Sequence, residues 1–259
     1  MLLIVDLDGV IWLGRKILWD NVDFLRSLER TQIVFVTNNS TASRREYAER
    51  LNSIGFDVTE DDVVTSAQAA ALWLRERSER LKVYAIGERG LLEELSLAGL
   101  KIVDSYEEAE AVVVGLDRRL TYGKLSKALK AIMRGAFFVA TNEDPTYPTS
   151  RGANPGAGAI VAALERASGR KPDFVAGKPN PWIAEIALRG RRVSLEDVVI
   201  IGDRVDTDIE LAFRIGCRAV LVASMERRGE LSQLRKRGVI IVESLKNLPP
   251  LETLQQTPR

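Results

Sequence analysis

Leu2-Leu3-Ile4-Val5-Asp6-Leu7-Asp8-Gly9-Val10 is an apolar run that ends in two aspartates one residue apart and then a glycine. Its length and its mixture of leucine with β-branched residues predict a buried strand. A strand ending near Asp6 delivers that carboxylate to the carboxyl edge of a sheet, where open α/β sheets place their sites. The same pattern recurs at Gln32-Ile33-Val34-Phe35-Val36-Thr37-Asn38-Asn39-Ser40, again an apolar strand that runs into a polar edge.

Between these strands, Trp12 to Trp19 reads as an irregular excursion, and Asp20 as the N-cap of a helix through about Glu29. A second helix is expected from Ser43, with Glu46 completing a capping box and Gly55 ending it. The alternation predicts a parallel sheet. A second series of β/α units follows. Its helices are 67–77, 88–98, 121–133 and 157–167, and its strands are 82–86, 111–115 and 136–141. This block reads as an α/β domain inserted into the first. The first rhythm is expected to resume at Phe174, with a helix over 181–188, strands over 198–201, 218–223 and 239–242, and a helix over 206–215. The expected architecture is therefore a Rossmann-like core of residues 1–65 and 174–259 carrying an α/β insert over 66–173.

Composition narrows the chemistry. The chain has 259 residues, 46% hydrophobic and 28% charged, with a formal net charge of +1, which gives no reason to expect nucleic acid or an anionic membrane as partner. No apolar run approaches the roughly 20 residues of a spanning helix, and the N-terminus lacks a signal-peptide pattern, so a cytoplasmic location is expected. There is no histidine, which excludes Ser-His-Asp triads and histidine metal sites. The single cysteine, Cys217, excludes an internal disulfide. A phosphate loop built on Cys217 would need an arginine at position 223, which is Ala. Chemistry must come from carboxylates, lysine, hydroxyls or a hard metal ion.

Four polar clusters lie at predicted strand ends: Asp6-Leu7-Asp8-Gly9, Thr37-Asn38-Asn39-Ser40, Gly177-Lys178-Pro179, and Gly202-Asp203-Arg204-Val205-Asp206-Thr207-Asp208. Each alone could be a turn, a cap or a solvated side chain. On one sheet edge, Asp6, Asp8, Asp203 and Asp208 could not all stay ionised without a counter-charge. A divalent ion resolves the conflict, and all-oxygen ligands favour Mg2+. Thr37, nearby backbone N–H groups and Lys178 then offer donors to three phosphate oxygens. A carboxylate nucleophile, a second aspartate as proton carrier and a metal clamp suit phosphoryl transfer.

Taken in order, the motifs Asp-x-Asp-Gly-Val, Thr-Asn-Asn-Ser, Gly-Lys-Pro and Gly-Asp-x-x-x-Thr-Asp resemble those of the haloacid dehalogenase superfamily. The closest resemblance is to its nitrophenylphosphatase and phosphoglycolate phosphatase subgroup. Thr141-Asn142-Glu143-Asp144-Pro145-Thr146-Tyr147-Pro148, with Gly152 and Pro155-Gly156-Ala157-Gly158, is similar to that subgroup too. The resemblance runs from about residue 3 to 223. It implies that Asp6 attacks phosphorus to form an aspartyl-phosphate, and that Asp8 protonates the leaving oxygen and later activates water. By the same resemblance, Thr37 and Asn38 hold the phosphoryl group and Lys178 neutralises it. Mg2+ would be bound by Asp6, the main-chain carbonyl of Asp8 and Asp203, with Asp208 supporting its water shell. The insert becomes a cap that closes over a small phosphorylated metabolite, and a homodimer through the cap is left open.

Animal members of the family place a histidine in the cap loop that sets specificity. This chain has none, so their substrate preference does not transfer. Asn142, Asp144, Tyr147 and Arg151 are the candidates to face substrate, with loop packing as the competing role. Gly156-Ala157-Gly158 resembles half of a dinucleotide fingerprint, but it lacks the third glycine and follows a stretch, Arg151 to Pro155, that reads as a loop rather than a strand. A phosphotransferase or phosphomutase would use the same intermediate. A non-catalytic phosphate-responsive regulator would do better without Asp8.

Overall fold

β1 (Leu2–Asp6) is buried along its whole length and has a parallel neighbour on each side. The computed structural model of the chain describes residues 1–28, 31–149, 152–223 and 228–251. After β1 come β2 (Trp12–Leu13), β3 (Lys16–Ile17), α1 (Trp19–Arg26), β4 (Gln32–Thr37), α2 (Arg44–Asn52) and β5 (Val63–Thr65). The middle of the chain forms α3 (Ser66–Arg75), β6 (Lys82–Ile86), α4 (Arg89–Leu97), β7 (Lys101–Ile102), β8 (Ala111–Val114), α5 (Tyr122–Met133) and β9 (Phe137–Ala140). It continues as β10 (Thr146–Thr149), β11 (Gly152–Pro155), α6 (Ala157–Ser168) and β12 (Phe174–Val175). The last part holds α7 (Pro181–Leu188), β13 (Val198–Gly202), a π-turn (Val205–Ile209), α8 (Glu210–Ile215), β14 (Arg218–Val222), α9 (Arg228–Lys236) and β15 (Ile240–Val242).

The chain divides into two compact units, Met1–Val36, Arg50–Val63 and Lys178–Arg259 in one, and Thr37–Glu49 and Val64–Gly177 in the other. A six-stranded sheet runs in the order β15-β14-β13-β1-β4-β5. β1 lies parallel to β13, with Leu2 opposite Val198, and parallel to β4, with Asp6 opposite Val36. Strand order reverses at β1: β4 and β5 extend to one side, β13 to β15 to the other. That reversal is the topological switch point, where the splayed crossovers leave a crevice at the carboxyl ends of the strands.

The second unit has its own five-stranded sheet, β12-β9-β8-β6-β7. Phe138, Val112, Val114 and Ile86 on its strands meet Ile132 of α5 and Val161 and Leu164 of α6 in one buried cluster. The segment Thr37–Glu49 belongs to this unit because α2 is tied to α4. Arg44 donates from its backbone N at 3.0 Å and from Nε at 3.2 Å to Oε1 of Glu94, which is buried. Arg45 pairs with Glu93 at 3.3 Å, and Arg89 pairs with Glu46.

Several expectations need correction. Trp12 to Trp19 is not irregular: β2 and β3 pair as an antiparallel hairpin, with Gly14 in the left-handed region at φ +62°. Asp20 does not cap α1. The helix starts two residues earlier, after Leu18, and Asp20 sits in its first turn, where its charge meets the positive end of the helix dipole. Residues 152–155 are a strand, since Tyr147 pairs with Asn154 and Thr149 with Gly152 across the β10–β11 hairpin. The strand at Phe174 pairs with β9 in the second sheet, so the first unit resumes at Lys178. The predicted box at α2 does form: the backbone N of Ser43 donates to Glu46 at 3.0 Å, and that of Glu46 to Ser43 Oγ at 3.5 Å. Among the described residues, no helix is long and apolar enough to cross a membrane.

Phe138 has no exposed surface, whereas Leu97 is 60% exposed. Phe138→Ala should cost about 3–5 kcal/mol through lost transfer energy and the cavity left behind. Leu97→Ala should stay within about 0.5 kcal/mol. Urea denaturation of the two variants measures the difference.

Candidate active site

Asp6, the last residue of β1, is buried at the switch point. Lys178 is buried too, and its ammonium has an acceptor for each of its protons. Nζ donates to Oδ1 of Asp6, to Oδ1 of Asp208 at 2.6 Å and to the carbonyl of Val36 at 3.5 Å. Asp208 reaches this position from the π-turn after β13, and its second oxygen accepts from the Arg204 backbone N at 3.2 Å and from Thr207 Oγ1 at 3.3 Å. Asp203 follows the last residue of β13. Two glycines make room for these acids. A Cβ on Gly202 would overlap the Asp208 carboxylate, and one on Gly9 would overlap that of Asp203. Gly9 also has φ +96°, a conformation L-residues rarely adopt.

Asp6, Asp203 and Asp208 each bring a carboxylate oxygen within 4.8 Å of the other two. Three carboxylates therefore face one ammonium, an excess of two negative charges when all are ionised. Burial pushes the Asp6 carboxyl up; Lys178 opposes that shift, while Asp208 and Asp203 add to it. Burial, followed by the charge of Asp208, raises the Asp203 pKa to about 7. Burial disfavours the Lys178 ammonium, but Asp208 and Asp6 outweigh it and lift its pKa above the ordinary lysine value.

These groups fit a divalent cation. Oδ1 of Asp203 is buried without a hydrogen-bond partner, which is costly unless something positive meets it. The donors are all oxygens, the choice of a hard ion. The carboxylate of Asp8 is not in this trio. Its Oδ1 instead accepts a hydrogen bond from Trp12 Nε1 at 3.1 Å, so three side-chain carboxylates, not the four expected, share the charge conflict.

Thr37, Asn38, Asn142, Asp144 and Tyr147 all lie in the second unit. Thr37 ends β4 and is buried; its Oγ1 accepts from the Asn39 backbone N at 3.0 Å. Asn38 Nδ2 donates to Asp144 Oδ2 at 3.1 Å, and Asn142 Nδ2 donates to the Asn38 carbonyl at 2.7 Å. Asn142 Oδ1 accepts in turn from the Asp144 backbone N at 3.0 Å. Tyr147 OH accepts from Asn154 Nδ2 at 3.3 Å across its hairpin. Arg151 lies outside the described residues. The residue that sequence reasoning missed is Trp12. The available signal was a lone aromatic with a polar N–H four residues after Asp8.

A family profile described as haloacid dehalogenase-like hydrolase matches residues 3–101, and a second HAD-hydrolase-like profile matches 175–248. The chain is 37% identical to an acid sugar phosphatase of Staphylococcus haemolyticus over 85% of this chain and 83% of that protein. The chain belongs to the haloacid dehalogenase-like hydrolases. Among solved structures of this family, a p-nitrophenyl phosphatase from Archaeoglobus fulgidus superposes with a TM-score of 0.87 at 38% identity, covering 97% of this chain and 98% of that one. A glycerol phosphate phosphatase from Mycobacterium tuberculosis, solved with magnesium, gives a TM-score of 0.79 at 40% identity over 85% of this chain and 66% of that one. That protein has also been solved with calcium. Within the haloacid dehalogenase-like hydrolases the chain falls in the nitrophenylphosphatase subgroup and is a phosphatase.

A carboxyl whose pKa rises on folding binds its proton more tightly in the folded state. The contribution of Asp203 to metal-free stability therefore declines as pH rises from its ordinary value through about 7. A divalent cation relieves that loss and competes with the proton below it. Excess MgCl2 relative to EDTA is thus expected to raise Tm more at pH 8 than at pH 5.5, and Asp203→Asn to flatten the difference. Calorimetry showing equal shifts at both pH values would contradict this account.

Proposed function

We propose that the chain is a Mg2+-dependent phosphomonoesterase that works through an aspartyl-phosphate on Asp6. The observation that carries this reading is the Asp6–Lys178–Asp208 chain of charges beside the orphaned oxygen of Asp203. Lys178 fixes the rotation of the Asp6 carboxylate through Oδ1, leaving the other oxygen to attack phosphorus. As the new P–O bond forms, the ester P–O bond breaks and Asp8 passes its proton to the departing oxygen. Asp8, now a carboxylate, takes a proton from the water that attacks the aspartyl-phosphate, which restores Asp6 and releases phosphate.

Thr37 and Asn38 are the proposed donors to the phosphoryl oxygens, and Lys178 contributes fixed positive charge. Asp6, Asp203 and the main-chain carbonyl of Asp8, with Asp208 behind them, would hold Mg2+, which when bound would supply charge to offset the phosphoryl group and the carboxylates together. The second unit is read as the cap, and the substrate as a small sugar or polyol phosphate, the class acted on by the acid sugar and glycerol phosphate phosphatases to which the chain is similar.

Asp6→Asn should reduce kcat on p-nitrophenyl phosphate with Mg2+ by roughly 10⁴-fold or more. Asp8→Asn should cost about 10²- to 10⁴-fold on an alkyl phosphate. Circular dichroism should show both folded. Near-wild-type turnover by Asp6→Asn would refute the reading, and so would a stable phosphoprotein that releases no phosphate.

A further inference from the structure

Asp8 is held by the turn and hairpin that follow β1. The backbone N–H groups of Ile11 and Trp12 both donate to the carbonyl of Leu7, at 2.9 and 3.2 Å, and Gly9 N donates to the Trp12 carbonyl at 2.7 Å. This tight ring fixes Trp12 relative to Asp8, and the hairpin pairing of Trp12 with Ile17 anchors it from the other side. The indole is wholly buried, yet its one polar atom is satisfied by Asp8. The Arg50 guanidinium lies 3.6 Å over the indole ring and donates from Nη2 to the Gly14 carbonyl at 2.9 Å, across the hairpin turn.

An indole N–H only donates, so the Asp8 oxygen facing it must accept. A cation on the face of the ring draws electron density from it and makes that N–H a stronger donor. Resting on the proposed role of Asp8, we infer that Trp12 is a positioning residue: its N–H pins Oδ1 of Asp8 so that Oδ2 presents the proton to the departing oxygen. The proton moves from Oδ2 to that oxygen as the ester P–O bond breaks and the bond from phosphorus to Asp6 forms. Trp12 itself touches no reacting atom.

A leaving group that needs no proton separates this role from packing. The constant kcat/KM reports the step that expels the leaving group. For p-nitrophenyl phosphate that group is a stable phenolate, whereas for glycerol phosphate it is an alkoxide that must be protonated. Trp12→Phe keeps an aromatic ring under Arg50 and removes the N–H. It should lower kcat/KM on glycerol phosphate by about 10- to 100-fold, the range set by one hydrogen bond to a charged group. On p-nitrophenyl phosphate the loss should be about threefold or less. If Trp12→Phe does not fold, benzothienylalanine introduced at position 12 alone preserves the ring shape and replaces the N–H with sulfur, and the same bias is expected.

Asp8→Asn is measured in parallel. Bias toward the phenyl ester in both variants supports the inference. Equal loss on both substrates for the position-12 variant, with bias in Asp8→Asn, overturns the inference and leaves the role of Asp8 intact. No bias in Asp8→Asn removes that role and the inference with it.

Discussion

Lys178 brings one positive charge to a place where Asp6, Asp203 and Asp208 can bring three negative ones, with little water to screen them. At an effective dielectric near 20, two unit charges 4 Å apart interact by about 4 kcal/mol, so the imbalance governs what can stand at the end of β1. The protein meets it first with hydrogen bonds, by giving each Lys178 proton an acceptor and the second oxygen of Asp208 two donors. What remains is the partnerless oxygen of Asp203, whose carboxyl keeps its proton to about pH 7 unless a cation arrives. Gly9 and Gly202 follow from the same constraint, since any side chain there would displace one of the carboxylates.

The long elements were legible in the sequence because strands of a parallel sheet are covered on both faces and so stand out as apolar runs. Leu2–Asp6, Gln32–Thr37 and Val198–Gly202 are of this kind. Short pieces were not legible. Two residues, Phe174 and Val175, carry no periodicity that says which sheet they join, and they join the second one. The β10–β11 hairpin lies largely exposed and lacks apolar alternation, and Pro148, Gly152 and Pro155 offset the strand propensity of Thr146, Tyr147 and Thr149. Of the site, three acids in six residues after a strand were conspicuous. The bond from Trp12 to Asp8 was not, because a tryptophan beside an apolar stretch looks like any other core residue.

Asn142 and Asp144 both have hydrogen-bond partners within the second unit. Both were candidates to face substrate, and each is bonded to Asn38, Asp144 through the Asn38 side chain and Asn142 through the Asn38 carbonyl. Ser66 adds a third contact, its Oγ donating to that carbonyl at 2.6 Å. Asn38 thus enters the structure with its geometry already set, which lowers the entropy it would lose on engaging an anion.

The grouping of Thr37–Glu49 with Val64–Gly177 bears on how such proteins can exchange parts. A recombination event that moved only the long middle segment into a parent without an arginine at position 44 would leave Glu94 buried without a guanidinium partner, at a cost of about 3–5 kcal/mol for a stranded charge. It would also have to keep the close fit of Gly90 against the backbone at position 42, which leaves no room for a larger residue. The compact unit is discontinuous in sequence. A chimera that respects the molecule's own seams needs both segments from one parent.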